Sequence, residues 1–218
     1  MRSTVFKAMA ALLRRLAPLA ALLLAALPAQ ASTLLSLSVS QLSQQAAMVF
    51  EGEVIAVETQ RVGARGLIHT FVTFQVDDLV KGEPGSAQLE LRFLGGTESG
   101  ERLEVNGSRL PRLGERGIYF VESLTENLIN PLLGWSQGHY LIARNGSAFE
   151  VTTVENKPVT ALSAVPEAPQ AGVSSRRASE LRIASDMSLA RGLSAASAGS
   201  AQGLTPAQFK AGIRALLP

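Results

Sequence analysis

The chain has 218 residues, 46% hydrophobic and 17% charged, with 20 Lys and Arg against 18 Asp and Glu and a formal net charge of +2. That length accommodates one ordinary domain with appendages and a real buried core. It has no cysteine, which excludes a disulfide scaffold, a cysteine nucleophile and thiolate metal sites. Its two histidines, His69 and His139, are too few for a histidine-rich zinc site.

Residues 1–31, MRSTVFKAMAALLRRLAPLAALLLAALPAQA, have the layout of a signal peptide. Arg2, Lys7, Arg14 and Arg15 form a cationic start, 16–27 an apolar run, and Ala29-Gln30-Ala31 a small-x-small cleavage pattern before Ser32. The apolar run is shorter than the roughly 20 residues that span a bilayer. The segment therefore predicts export to the periplasm or the exterior, with a retained N-terminal anchor as the alternative. Export also changes the electrostatics. Four of the 20 basic residues and none of the 18 acidic ones lie in 1–31, so residues 32–218 hold 16 against 18, a formal charge of −2. No Lys/Arg cluster interleaved with aromatics remains, and nucleic-acid binding loses its support.

After cleavage the first expected element is a short helix over 40–47, with Ser40 as N-cap. A long strand over 48–60 follows, with Gly52 marking a bulge or sharp bend. In the next strand, over 69–82, Val72, Phe74 and Val76 fall on one face and Thr73, Gln75 and Asp77 on the other, the alternation of a half-buried strand. Residues 87–96 repeat it, with Leu89, Leu91 and Phe93 inward. A short strand at 103–105 and a longer one at 115–124 come next. The last two, 140–144 and 148–155, flank the hairpin signal Asn145-Gly146. Closely spaced strands with no long helix between them predict antiparallel pairing, and the long first strand with its central glycine suits a small closed or nearly closed β-barrel over 32–162.

From 163 to 203 the composition turns to Ala, Ser, Gly, Pro and Gln, that of a flexible linker, with 179–193 a marginal helix inside it. The end, 204–218, predicts an amphipathic helix. Thr205 is the N-cap, Pro206 takes the first position and Gln208 completes a capping box. Phe209, Ile213 and Leu216 or Leu217 share a face, which either docks on the barrel or is offered to a partner.

Candidate chemistry is sparse. Gly134-Trp135-Ser136-Gln137-Gly138 matches the G-x-S-x-G nucleophile pattern, but a strand follows it rather than a helix. The only later histidine is His139, three residues on, and the only later aspartate, Asp186, falls in the linker. Backbone freedom around a packed Trp135 accounts for these glycines better than a serine nucleophile. The run Leu94-Gly95-Gly96-Thr97 lacks the Gly-Lys-Ser/Thr of a phosphate loop. Asp77-Asp78 point to opposite faces of a strand and read as a solvated strand end rather than a calcium site. Neither histidine has a carboxylate partner fixed by the sequence, so no metal site and no cofactor are expected. Asn106-Gly107-Ser108 and Asn145-Gly146-Ser147 match the N-glycosylation pattern, and both are also Asn-Gly turns.

The succession AAMVFEGEVIAVET, HTFVTFQVDDLVKG, LELRFLGGTESGERLEVNG, PRLGERGIYFVE and GWSQGHYLI, covering roughly 38–160, resembles an uncharacterised family of exported bacterial proteins. The opening A-x-x-V-F-x-G-x-V with a later V-x-x-x-x-K-G also resembles the OB-fold barrel of netrin-like domains, which include the tissue inhibitors of metalloproteinases. That resemblance implies a Greek-key barrel of five or six strands and a secreted metalloprotease, or another extracytoplasmic protein, as partner. The inhibitors chelate the protease zinc through a mature N-terminal cysteine, whereas this chain is expected to begin at Ser32-Thr33-Leu34, so the mechanism does not follow the fold.

The expectation is thus an exported, mainly β protein with a small antiparallel OB-like barrel, acting as a non-catalytic module that binds a protein or peptide. Its site is expected in two glycine-bearing loops, at Gly95, Gly96 and Thr97 and at Trp135, Ser136, Gln137 and His139. A serine hydrolase using Ser136 and a structural envelope protein are the alternatives. No membrane span is expected after cleavage.

Overall fold

A computed structural model describes residues 36–83, 85–163, 188–197, 199 and 201–218. The expected signal peptide and residues 164–187 of the expected linker lie outside the described residues.

The first helix, α1 (Val39–Gln45), starts two residues before the expected position. Ser38, not Ser40, is the N-cap: its side chain accepts from the Gln41 N–H, and the Gln41 side chain returns the bond to the Ser38 N–H. The reason lies in the spacing. A capping box needs Gln or Glu three residues after the cap, and only Ser38 has one.

The strands follow in chain order: β1 (Met48–Val62), β2 (Leu67–Lys81), β3 (Gln88–Leu94), β4 (Gly96–Glu98), β5 (Glu101–Leu103), β6 (Arg116–Val121), β7 (His139–Asn145), β8 (Ala148–Thr153), β9 (Val159–Leu162) and β10 (Leu193–Ala195). Six form one antiparallel sheet in the order β3-β2-β1-β6-β7-β8, and β4-β5 and β9-β10 are separate two-stranded ladders. The protein is mainly β, as its alternation predicts. The edge strands β3 and β8 do not pair with each other, so the sheet is not closed; the expectation is a closed or nearly closed barrel.

The central strands are buried on both faces. Val49, Ile118 and Phe120 are buried on one face of the sheet, in a cluster with Leu42 of α1 and Tyr140 and Val151 of β7 and β8. Phe50, Tyr119 and Val121 are buried on the other face, with Val72, Phe74, Leu91 and Phe93. The centre of the sheet is therefore apolar on both sides and needs a covering layer on each. The layer over the first face is α1, the C-terminal helix α2 (Pro206–Ala215) and Ala190 and Leu193. Residues 190–195 are thus not free linker: Leu193–Ala195 pairs with β9, Arg191 bridges to Ser38, and 188–193 contains no helix.

Gly52 behaves as expected. The β1–β2 register shifts between Glu51 and Gly52, and a Cβ at Gly52 would collide with the Gln75 carbonyl. The β7–β8 hairpin also forms, one residue later than its signal: Asn145 pairs with Ala148, and Gly146, at φ 63°, and Ser147 make the turn. In α2, Thr205 caps through the predicted box with Gln208, and Phe209 and Ile213 are fully buried on the body of the same chain.

Candidate functional cleft

β1 runs 15 residues, but it pairs with β6 only over Met48–Glu53. Val54 then exchanges backbone bonds with Glu115 and Gly114. From residue 56 to 62, β2 is the only strand hydrogen-bonded to it among the described residues, while β4 packs alongside, with Glu98 on Arg61. This unpaired half borders a cleft of about 600 Å³. Val57, Thr59 and Thr70 form the floor, residues 94–97 one wall and 102–112 the other.

The first wall depends on two glycines. Gly95 and Gly96 have φ of 108° and 132°, which side chains rarely adopt. A Cβ on Gly95 would lie 2.8 Å from the Leu103 carbonyl oxygen, and one on Gly96 would run into Thr70 Oγ1 and Thr59 Cγ2. Thr70 Oγ1 donates to the Gly95 carbonyl at 2.7 Å, which ties this wall to the floor.

The second wall is irregular backbone braced from behind. Ser136 Oγ donates to the Gly107 carbonyl at 2.8 Å, and Asn130 Nδ2 donates to Ser108 Oγ at 2.9 Å. Arg109, which lines the cleft, donates from Nη1 and Nη2 to the two Glu115 carboxylate oxygens at 2.9 and 2.6 Å. His139 Nε2 meets Glu115 Oε1 at 2.9 Å. Burial by itself raises the Glu115 pKa, but the hydrogen bonds from His139 and Arg109 outweigh it and hold the carboxyl down to about 2. Burial pushes the His139 pKa down despite the attraction of Glu115, so the ring is neutral at pH 7 and donates from Nε2. Its Nδ1 and the neighbouring Tyr119 hydroxyl are both buried without a hydrogen-bond partner among the described residues, their rings 5.0 Å apart.

The expected site residues therefore divide. Gly95, Gly96 and Thr97 line the cleft. Trp135, Ser136, Gln137 and His139 do not; they sit in a 3₁₀ turn (Trp135–Gly138) and the start of β7, behind the second wall. Trp135 is half-buried, outside both apolar clusters and at φ 59°, so it is not the packed core residue expected. Gln137 is buried, and its Oε1 accepts from the Leu37 N–H. His139 does have a carboxylate partner. No motif in the sequence marks Arg109, Glu115 or Asn130: Asn130 reaches Ser108 across 22 residues, and Glu115 meets His139, 24 residues on, only where β6 and β7 pair.

Asp77 and Asp78 are solvated, their side chains 37% and 40% exposed, and both also form ion pairs. Asp77 pairs with Arg116, and Asp78 with Lys210 and Arg214 of α2. Among the described residues no group of three His, Cys, Asp or Glu side chains is placed to hold a metal ion, and no helix is long and apolar enough to cross a membrane. Compared with protein-family models, curated proteins and solved structures, the chain matches none.

Proposed function

We propose that the protein is an exported, non-catalytic binding module that takes up an extended segment of a protein or peptide partner in the periplasm or outside the cell. The observation that carries this reading is the unpaired half of β1 beside the cleft. Among the described residues its backbone groups there have no partner strand, and Ile55 and Val57 beside them are 40% and 39% exposed. A free edge with apolar side chains is what an added strand satisfies: its main chain supplies the hydrogen bonds and its side chains cover the apolar ones. The signal-peptide layout of 1–31 supports export. The likeness to netrin-like domains makes a secreted metalloprotease the first partner to try, engaged through the cleft, since the inhibitors' N-terminal cysteine has no counterpart here. Use of Ser136 as a nucleophile finds no support in its surroundings, because its hydroxyl proton is donated to the Gly107 carbonyl and His139 Nε2 is engaged by Glu115.

The test is affinity capture from the extracytoplasmic fraction, using protein exported from cells that express the full chain, with Val57→Lys alongside. The wild type is expected to retain a partner that cross-links to residues 55–59, and Val57→Lys to lose it. Equal capture by both, or robust labelling by a serine-reactive phosphonate that Ser136→Ala abolishes, would overturn the reading.

A further inference from the structure

Four charged side chains line the cleft: Arg102, Arg109, Arg112 and Glu104. Glu104 is engaged by Arg102, and Arg109 is held by Glu115 from behind the wall. Arg112 is exposed and has no carboxylate partner among the described residues. Arg112 is therefore the one charged group of the lining left without an opposite partner among the described residues, on a chain whose residues 32–218 sum to −2. Val57 of the free strand and Leu103 and Leu110 line the same cleft, so it offers both cationic and apolar surface.

Resting on the binding-module reading, we infer that the cleft selects an extended acidic peptide segment, one that carries carboxylates among aliphatic side chains. Arg112 is the group that meets the carboxylate. A guanidinium forks onto a carboxylate through two parallel N–H donors, so it fixes direction and register as well as charge. The aliphatic neighbours of that carboxylate then face Val57 and Leu110, while the backbone lies along β1. Arg109 cannot take this part equally, because Nη1 and Nη2 each already donate to Glu115; it holds the wall.

Fluorescence anisotropy with two labelled peptides, one of alternating Glu and Leu and one of alternating Lys and Leu, tests this. The Glu–Leu peptide is expected to bind at least about tenfold tighter, as one charge-assisted contact supplies. Added salt is expected to shrink that preference. Arg112→Glu, at an exposed position, is expected to keep the melting temperature and to abolish or reverse it. Equal affinity for the two peptides, with both lost in Val57→Lys, would overturn the acidic preference and leave the binding module standing. An unchanged preference in Arg112→Glu would overturn the assignment of Arg112. No binding of either peptide would overturn the inference, and the capture experiment then decides separately whether the binding module survives.

Discussion

Glu115 ties the second wall of the cleft to the sheet, since Arg109 of the wall and His139 of β7 both bond to its carboxylate. Its side chain is only 12% exposed, so removing the charge leaves Arg109 poorly compensated in a partly buried place. Glu115→Gln is expected to lower stability by about 3 kcal/mol, read as a shift in the urea midpoint. The pH dependence follows from the same pair. The Glu115 pKa falls from 4.5 unfolded to about 2 folded, so its stabilisation is complete above pH 4.5 and lost as pH falls toward 2. The His139 pKa is also depressed on folding, so below 6.5 the unfolded chain takes up a proton that the folded chain refuses, which again favours unfolding. Urea midpoints measured from pH 8 downward should therefore decline below about 6.5 and steepen below 4.5; Glu115→Gln should remove the second part. At the opposite wall, Gly96→Ala is expected to cost about 1–3 kcal/mol. Gly100→Ala should cost less: its φ, 82°, is also left-handed, but the space around it is open.

Among the elements, α2 is the one whose sequence and packing agree most closely. Thr205, Pro206 and Gln208 form the expected start, and the apolar stripe docks against Tyr140, whose ring lies 5.1 Å from that of Phe209. The ion pairs came from tertiary structure alone. Lys210, 12% exposed, reaches Glu51 of β1 and Asp78 of β2, each at 2.5 Å, and Arg214 joins it on Asp78. Its hydrogen bonds with Lys210 and Arg214 hold the Asp78 carboxyl below the usual range. Truncating Phe209 to Ala is expected to cost about 3–5 kcal/mol and Thr205 to Ala about 1 kcal/mol, measured by equilibrium unfolding. A similar ratio for the two would mean that the helix is held by its cap rather than by its buried face. In α1 the cap lies two residues before Ser40, because Ser38 is the serine with a Gln three residues on. The β7–β8 turn moved by one residue because the pairing of Asn145 with Ala148 puts Gly146 at the first central position.

For the molecule as a whole, α2 serves as part of the second layer on the sheet. Removing 204–218 uncovers the face formed by Tyr140 and Val151 and strips Glu51 and Asp78 of Lys210. The expected outcome is loss of the cooperative thermal transition and increased binding of a hydrophobic dye, not merely a loss of partner binding; an unchanged melting curve would refute the layer assignment. The sequence by itself determined the mainly β class, most strand positions, the bend at Gly52 and the capped C-terminal helix. These rest on local periodicity and on residues that permit only certain backbone angles. The continuous apolar runs MVF in β1 and IYFV in β6 also mark strands buried on both faces. Tertiary structure alone decided that Leu193–Ala195 joins the body, that half of β1 is left without a partner, and that His139 finds Glu115. Each depends on which distant segments meet, and the free energy of those meetings comes from burial and pairing across the fold, which no local pattern in the chain records.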